Sequence, residues 1–198
     1  MFSPTYKPIA DRPTIMDELL AATFLKFIPT SVKPNHLTVF RFITVPFVLI
    51  LLWNEVYIGG IILFTISAFS DALDGAMART RNQITDWGKV YDPLADKLLI
   101  GLSAMIVVGR ELSLPLALTM IFLEIVIILI SFWRKYIRGE EIKAKRVGKI
   151  KMILQSFGLG FLLLGIVTGV HVFVPLSLLL LLASLFFAVA SIAVYGSI

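Results

Sequence analysis

Residues 71–96 read DALDGAMARTRNQITDWGKVYDPLAD. The stretch carries four acids, Asp71, Asp74, Asp92 and Asp96, and it joins two apolar runs, residues 57–77 and 89–109. Asp71 and Asp74 stand three residues apart, and Asp92 and Asp96 four apart. On helices, each pair shares one face. If both runs cross a bilayer, the connection between them stays on one side, so the two pairs lie at similar depth and can face each other. Four carboxylates crowded at low dielectric repel and take up protons unless a counter-charge is supplied. The pattern therefore asks for a cation.

Working outward, the chain shows six apolar runs, at about 38–53, 57–77, 89–109, 113–133, 152–169 and 173–195. Roughly 20 helical residues cross a hydrocarbon core. None of the runs alternates with period 2, so helices are expected rather than a barrel. The first run is short, which predicts a helix start somewhat before residue 38. Hydrophobic residues make up 58% of the 198, and charged ones only 16%, against about 25% in ordinary soluble chains. No polar stretch is long enough for a separate soluble domain. The predicted fold class is an all-α integral membrane protein, with six transmembrane helices preceded by a short amphipathic interfacial helix.

The charge pattern sets an orientation. If six spans alternate sides, 17 of the 18 Lys and Arg residues fall on one side and only Arg110 on the other. The positive-inside rule puts that side, with both termini, in the cytoplasm. A net charge of +5 then reports loops facing anionic lipid or substrate phosphate rather than nucleic acid. Cysteine is absent, which excludes disulfides and thiolate metal sites. The first 13 residues, polar with three prolines, do not read as a cleavable signal peptide.

Residues 14–30, TIMDELLAATFLKFIPT, predict the interfacial helix. Thr14 is placed to cap it, with Asp17 three residues on in a capping-box position. Ile15, Leu19, Leu20 and Leu25 recur at helical spacing, and Pro29 ends the run. Such a helix lies on the membrane surface or packs on the bundle. The chain thus divides into an N-terminal segment, 1–33, and a six-helix membrane domain, 34–198.

Hard oxygen ligands suit Mg²⁺, Mn²⁺ or Ca²⁺, and four acids can hold two such ions. A two-ion site is a known clamp for displacement at phosphorus. The neighbouring residues agree. Gly75 and Ala78 are small and lie on or beside the aspartate face. Arg79 follows one turn after Gly75 and suits a phosphate. Gly88 leaves room before the next helix, and Asp92-Pro93 reads as a helix start, with Asp92 as cap and Pro93 at the first position. A divalent-cation transporter is the rival class, but it predicts acids at several depths. Here they cluster on one side, and the outer halves of both runs are apolar.

The pattern Asp71-x2-Asp74-Gly75-x2-Ala78-Arg79-x8-Gly88-x3-Asp92-x3-Asp96 resembles the signature of the CDP-alcohol phosphotransferase family at all eight positions. The resemblance implies a homodimeric membrane enzyme with its site open to the cytoplasmic leaflet. It implies transfer from a CDP-linked donor, usually CDP-diacylglycerol, to an alcohol with release of CMP, and a need for Mg²⁺ or Mn²⁺. It assigns two divalent ions to Asp71, Asp74, Asp92 and Asp96, with Asp96 also the general base. Asp74, Gly75, Ala78, Arg79 and Thr85 would hold the donor. Residues 33–41, KPNHLTVFR, are similar to the family's Asn-x-x-Thr element, which adds Asn35 and Thr38. Their other reading is capping of the first span, with Arg41 as an interfacial anchor.

The acceptor is less sharply marked. Residues 134–155, RKYIRGEEIKAKRVGKIKMILQ, carry eight basic groups. They read either as an orientation signal or as a pocket for a phosphorylated acceptor, with Arg134, Arg138, Lys149 and Lys151 as candidates. Gly148-Lys149-Ile150-Lys151 with Gln155 is similar to family members that use glycerol 3-phosphate and make phosphatidylglycerophosphate. Met152 and Leu123 depart from their pattern, and inositol phosphate or phosphatidylglycerol are the alternative acceptors. Glu124, an acid within the fourth span, is placed to hold a basic residue of that pocket. His36 reads as a surface residue, and His171 carries no signal.

Overall fold

The computed structural model describes residues 13–29, 31–138 and 146–196. Among them are seven helices and no strand: α1 (Ile15–Thr23), α2 (Pro34–Trp53), α3 (Tyr57–Thr80), α4 (Asp86–Glu111), α5 (Leu114–Arg138), α6 (Arg146–Thr168) and α7 (Phe173–Gly196). Four stretches are long and apolar enough to cross a membrane: Pro34–Trp53, Tyr57–Thr80, Val147–Thr168 and Phe173–Ala193. A fifth, Leu114–Ile130, is shorter. The run expected at 89–109 forms a long helix, but charged residues from Asp86 to Lys97 interrupt its N-terminal half.

The described residues form two compact units. One holds those up to Val48 together with Ile62–Leu99; the other holds Leu49–Ile61 together with those from Ile100 on.

In the first unit, α1 begins with the capping box that the sequence predicts. The Asp17 backbone N–H donates to Thr14 Oγ1 at 3.3 Å, and the Thr14 backbone N–H donates to the Asp17 carboxylate at 2.7 Å. Such a pair satisfies two donors that every helix start leaves orphaned. Leu20 and Leu25 pack with Ala76 and Met77 of α3 in one apolar cluster. Phe24 meets Phe69 edge to face, with centroids 5.0 Å apart. Ile15, Met16 and Leu19 remain exposed, Ile15 at 87%. The helix therefore both packs on α3 and presents an apolar face outward. Arg81 fastens the segment after it, donating to the carbonyls of Leu25 at 3.1 Å and Ile28 at 3.0 Å.

α2 starts at Pro34, four residues ahead of the apolar run, where proline's missing N–H is harmless. α4 does not start where the sequence suggested. It begins at Asp86, and Pro93 lies inside it. Thr85 supplies the cap: its hydroxyl oxygen accepts the Gly88 N–H at 3.0 Å. A Ser/Thr cap with an acid in the first turn suffices to nucleate the helix earlier. The Asp92-Pro93 pair then falls two turns in, where it lacks one ladder hydrogen bond.

In the second unit, α7 packs along α6 and also meets α5. Gly158 permits the close approach of α6: a Cβ there would sit 2.9 Å from the Leu181 side chain and 3.3 Å from its backbone nitrogen. The buried hydroxyls of Ser177 and Ser184 each donate to a carbonyl of their own helix at 2.7 Å. Arg110 is neutralised locally. It donates to the Trp53 carbonyl at 2.9 Å and pairs with Glu55 at 3.2 Å.

Candidate functional site

The three- and four-residue spacings bring the acids of α3 and α4 to one place, and α2 supplies what lies between them. Arg41 is fully buried. Its Nη1 donates to Asp96 Oδ1 at 2.6 Å and lies 2.9 Å from Asp71 Oδ1, while Nη2 donates to Asp74 Oδ2. One turn earlier on the same face, the Thr38 hydroxyl donates to Asp92 Oδ1 at 2.6 Å. Thr44 and Ser67 join α2 to α3 through hydroxyls 2.8 Å apart. Asp74 is the most deeply buried of the acids, at 3% exposure.

Arg41 is not the interfacial anchor that the capping alternative for residues 33–41 expects; it is buried among the acids. A guanidinium offers a planar fork with several donors, and here the fork serves three carboxylates from two helices. The spacing carried a hint, because Thr38 and Arg41 are three residues apart and so share a face.

The donor set fits a hard divalent cation in type: oxygen ligands only, all anionic, gathered on facing helices. It does not form a ready cage. No group of three or more acidic or histidine side chains among the described residues converges as ligands would, and Arg41 stands where the carboxylates meet. Its Nε is buried with no hydrogen-bond partner, so the guanidinium is not fully satisfied there.

Beside the acids lies a cleft whose lining includes Asn35, Gly75, Ala78, Arg79, Thr85, Gly88 and Asp92. The sequence singled out all seven. Thr38 and Asp74, also expected at the donor, are buried among the acids instead. The Thr85 hydroxyl donates to Asn35 Oδ1 at 2.9 Å. Gly88 makes the convergence possible: a Cβ would lie 3.1 Å from Asp92 Oδ2 and 3.2 Å from Thr85 Oγ1. Overpacking of this kind costs about 1–3 kcal/mol. Gly88→Ala is therefore expected to weaken the binding of a ligand in this cleft by about ten- to a hundredfold, measured by equilibrium titration, with helix content unchanged.

Arg79 has a protein partner. Its Nε and Nη2 donate to the two Asp17 oxygens, both at 2.7 Å. The Arg79 fork holds the Asp17 carboxyl down at about 2 against the opposing effect of burial, with the Thr14 bonds adding to the fall. A carboxylate held this low stabilises the docked α1 at every pH above about 4 and loses that effect as the pH falls toward 2.

The candidate acceptor residues lie in the second unit. Lys151 is buried and pairs with Glu124, the partner type that the fourth-span acid predicted. Lys149 is exposed. Arg134 and Arg138 belong to α5, but their side chains lie outside the described ones. His36 accepts the Lys33 N–H at 3.2 Å in a local turn, as a surface residue does.

Three residues of this region were not legible as functional: Arg41; Asp17, read only as a cap; and Gln83, which lines the cleft with its Oε1 buried and without a hydrogen-bond partner.

Comparison with known proteins shows the family. A family model described as CDP-alcohol phosphatidyltransferase matches residues 31–193. The CDP-diacylglycerol--glycerol-3-phosphate 3-phosphatidyltransferase of Bacillus subtilis is 32% identical over 179 residues, 80% of this chain and 90% of its own length. Proteins of the same name from Rickettsia typhi and Escherichia coli K12 are 31% and 32% identical over 141 and 138 residues. These cover 67% and 66% of this chain and 76% and 75% of their own lengths.

Proposed function

This chain belongs to the CDP-alcohol phosphatidyltransferase family, and on that premise we propose that it transfers the phosphatidyl group of CDP-diacylglycerol to glycerol 3-phosphate, giving phosphatidylglycerophosphate and CMP. The observation that carries the reading is the gathering of four signature acids beside a cleft lined by the signature's small residues and Arg79. The names of its relatives favour glycerol 3-phosphate over inositol phosphate or phosphatidylglycerol as acceptor.

The reaction asks an acceptor hydroxyl to attack the lipid-bearing β-phosphorus. A new oxygen–phosphorus bond forms, the bond to the bridging oxygen breaks, and CMP leaves. Asp96 takes the hydroxyl proton. Asp71, Asp74, Asp92 and Asp96 would hold two Mg²⁺ or Mn²⁺ ions, whose chemistry is to neutralise charge on the pyrophosphate. Gly75 and Ala78 admit the cytidine. Arg79 meets a donor phosphate, and Asn35 and Thr85 supply polar atoms around it. Lys149, with Arg134 and Arg138, receives the acceptor phosphate, while Lys151 on Glu124 shapes the floor of that pocket.

The rest of the reading is architectural. Six of the helices cross the bilayer, and α4 and α5 complete the set. The basic loops and both termini face the cytoplasm, α1 rests its exposed apolar face on the inner leaflet, and the enzyme is a homodimer.

The test is CMP release from CDP-diacylglycerol in reconstituted vesicles, against glycerol 3-phosphate, inositol 1-phosphate, myo-inositol, serine and phosphatidylglycerol. Rapid release with glycerol 3-phosphate alone, abolished by chelation of divalent ions, is expected. Preference for another acceptor would overturn the choice of glycerol 3-phosphate. Silence with every acceptor, together with Mn²⁺ flux across the vesicles, would overturn the enzymatic reading.

A further inference from the structure

We propose that Asp17 is a positioning residue for the donor site: from the surface helix α1 it fixes the Arg79 guanidinium at the wall of the cleft, so that residues ahead of the membrane domain help to bind the CDP-linked donor. The proposal rests on the donor site described above and adds a residue that lies outside the signature.

A helix cap needs only one or two of a carboxylate's acceptor positions. Asp17 uses more. Oδ2 accepts from the Thr14 N–H at 2.7 Å, the Thr14 hydroxyl at 2.8 Å and Arg79 Nε at 2.7 Å, and Oδ1 accepts from Arg79 Nη2 at 2.7 Å. The residue is 3% exposed on a helix whose neighbours Ile15 and Met16 are 87% and 62% exposed. Its side chain is turned inward to reach a partner 62 positions away in sequence.

The geometry divides Arg79 in two. The Nε–Nη2 edge is held by Asp17, and Nη1 lies outside that fork. Arg79 lines the cleft, and its guanidinium lies over Gly75, where a Cβ would come within 3.0 Å of Nη2 and 3.4 Å of Nη1. Gly75 is thus the floor on which the guanidinium rests. A long arginine side chain loses much rotamer freedom when it is fixed. Fixing it beforehand removes that cost from ligand binding.

Electrostatics supply the second argument. Asp71 and Asp74 lie close enough to act on the charge of Arg79. Released from Asp17, this cation has two carboxylates to turn toward. A second guanidinium on those acids would withdraw from the phosphate and compete with any divalent ion. Asp17 holds Arg79 at the cleft and away from the acids.

The test uses the full chain reconstituted with CDP-diacylglycerol and glycerol 3-phosphate. Asp17→Asn keeps a capping oxygen and removes the charge. It is expected to raise the KM for CDP-diacylglycerol about tenfold, the effect of losing a charged hydrogen-bond pair, with the KM for glycerol 3-phosphate unchanged. Thr14→Ala, which weakens the cap and spares the fork, is expected to leave the donor KM unchanged. Arg79→Lys, which keeps the charge and loses the fork, carries the same expectation as Asp17→Asn and serves if that variant does not fold. The swap Asp17→Arg with Arg79→Asp re-forms the ion pair and is expected to restore the thermal midpoint but not the donor KM. An unchanged donor KM in Asp17→Asn, or its restoration by the swap, overturns the positioning role while the enzymatic reading stands. A wild-type chain that releases no CMP from the donor with any acceptor overturns both.

Discussion

Replacing Asp96 by Asn is expected to cut CMP release by about a thousandfold while CDP-diacylglycerol binding stays within about twofold, the range that a positioned general base contributes. The carboxamide is nearly the same size and can still accept the Arg41 Nη1 hydrogen bond, which is 2.6 Å long in the native protein. What it loses is the capacity to take a proton. Asp96 suits that role better than its neighbour Asp74, because 22% of its side chain is accessible while Asp74 retains 4%. An acceptor hydroxyl approaching from solvent reaches Asp96 before Asp74. The measurement is single-turnover CMP release set beside equilibrium binding of the donor. Normal turnover in Asp96→Asn would remove this residue as the base and shift attention to Asp71, whose side chain is 39% accessible.

The acids were legible because their message is local. Intervals of three and four residues on two predicted helices fix a shared face with no knowledge of the rest of the fold. The α1 capping box is local for the same reason: Thr14 and Asp17 lie within one turn. Glu124 could be read because an acid in an apolar helix demands a cation, and Lys151 was among the few candidates. Where the reading went wrong, two local signals competed. Asp92-Pro93 and Thr85-Asp86 both resemble helix starts, and the earlier one governs, because a helix once nucleated tolerates a proline two turns in.

What the sequence hid was long-range. Arg41 contacts acids 30 and 33 residues away on α3 and one 55 residues away on α4. In KPNHLTVFR, the three-residue spacing of Thr38 and Arg41 puts them on one face but does not say whether that face is buried. Asp17 kept its second role out of sight in the same way, since a cap already accounted for it. The two charged residues among the three missed have partners on another helix, and charge pairing across helices leaves no periodic trace.

Arg41→Met gives the second large expected effect, and it separates the resident counter-charge from a bound one. Methionine fills comparable volume without charge. It leaves Asp74 buried next to Asp71 and Asp96 with their shared guanidinium gone, and breaking a buried pair in this way costs about 3–5 kcal/mol. In the absence of divalent ions the variant is therefore expected to unfold well below the wild type. Mg²⁺ or Mn²⁺ would supply the missing positive charge, so the thermal midpoint of Arg41→Met should climb more steeply with added metal than that of the wild type. Arg41→Lys should fall between, because one ammonium cannot place two separate arms on Asp74 and on the Asp71–Asp96 pair. Midpoints measured against metal concentration in detergent decide the matter. Equal midpoints for Arg41→Met and wild type without metal would mean that the acids are neutralised by protons rather than by Arg41. A metal response no steeper than the wild type's would mean that these carboxylates do not gather an ion where the guanidinium now stands.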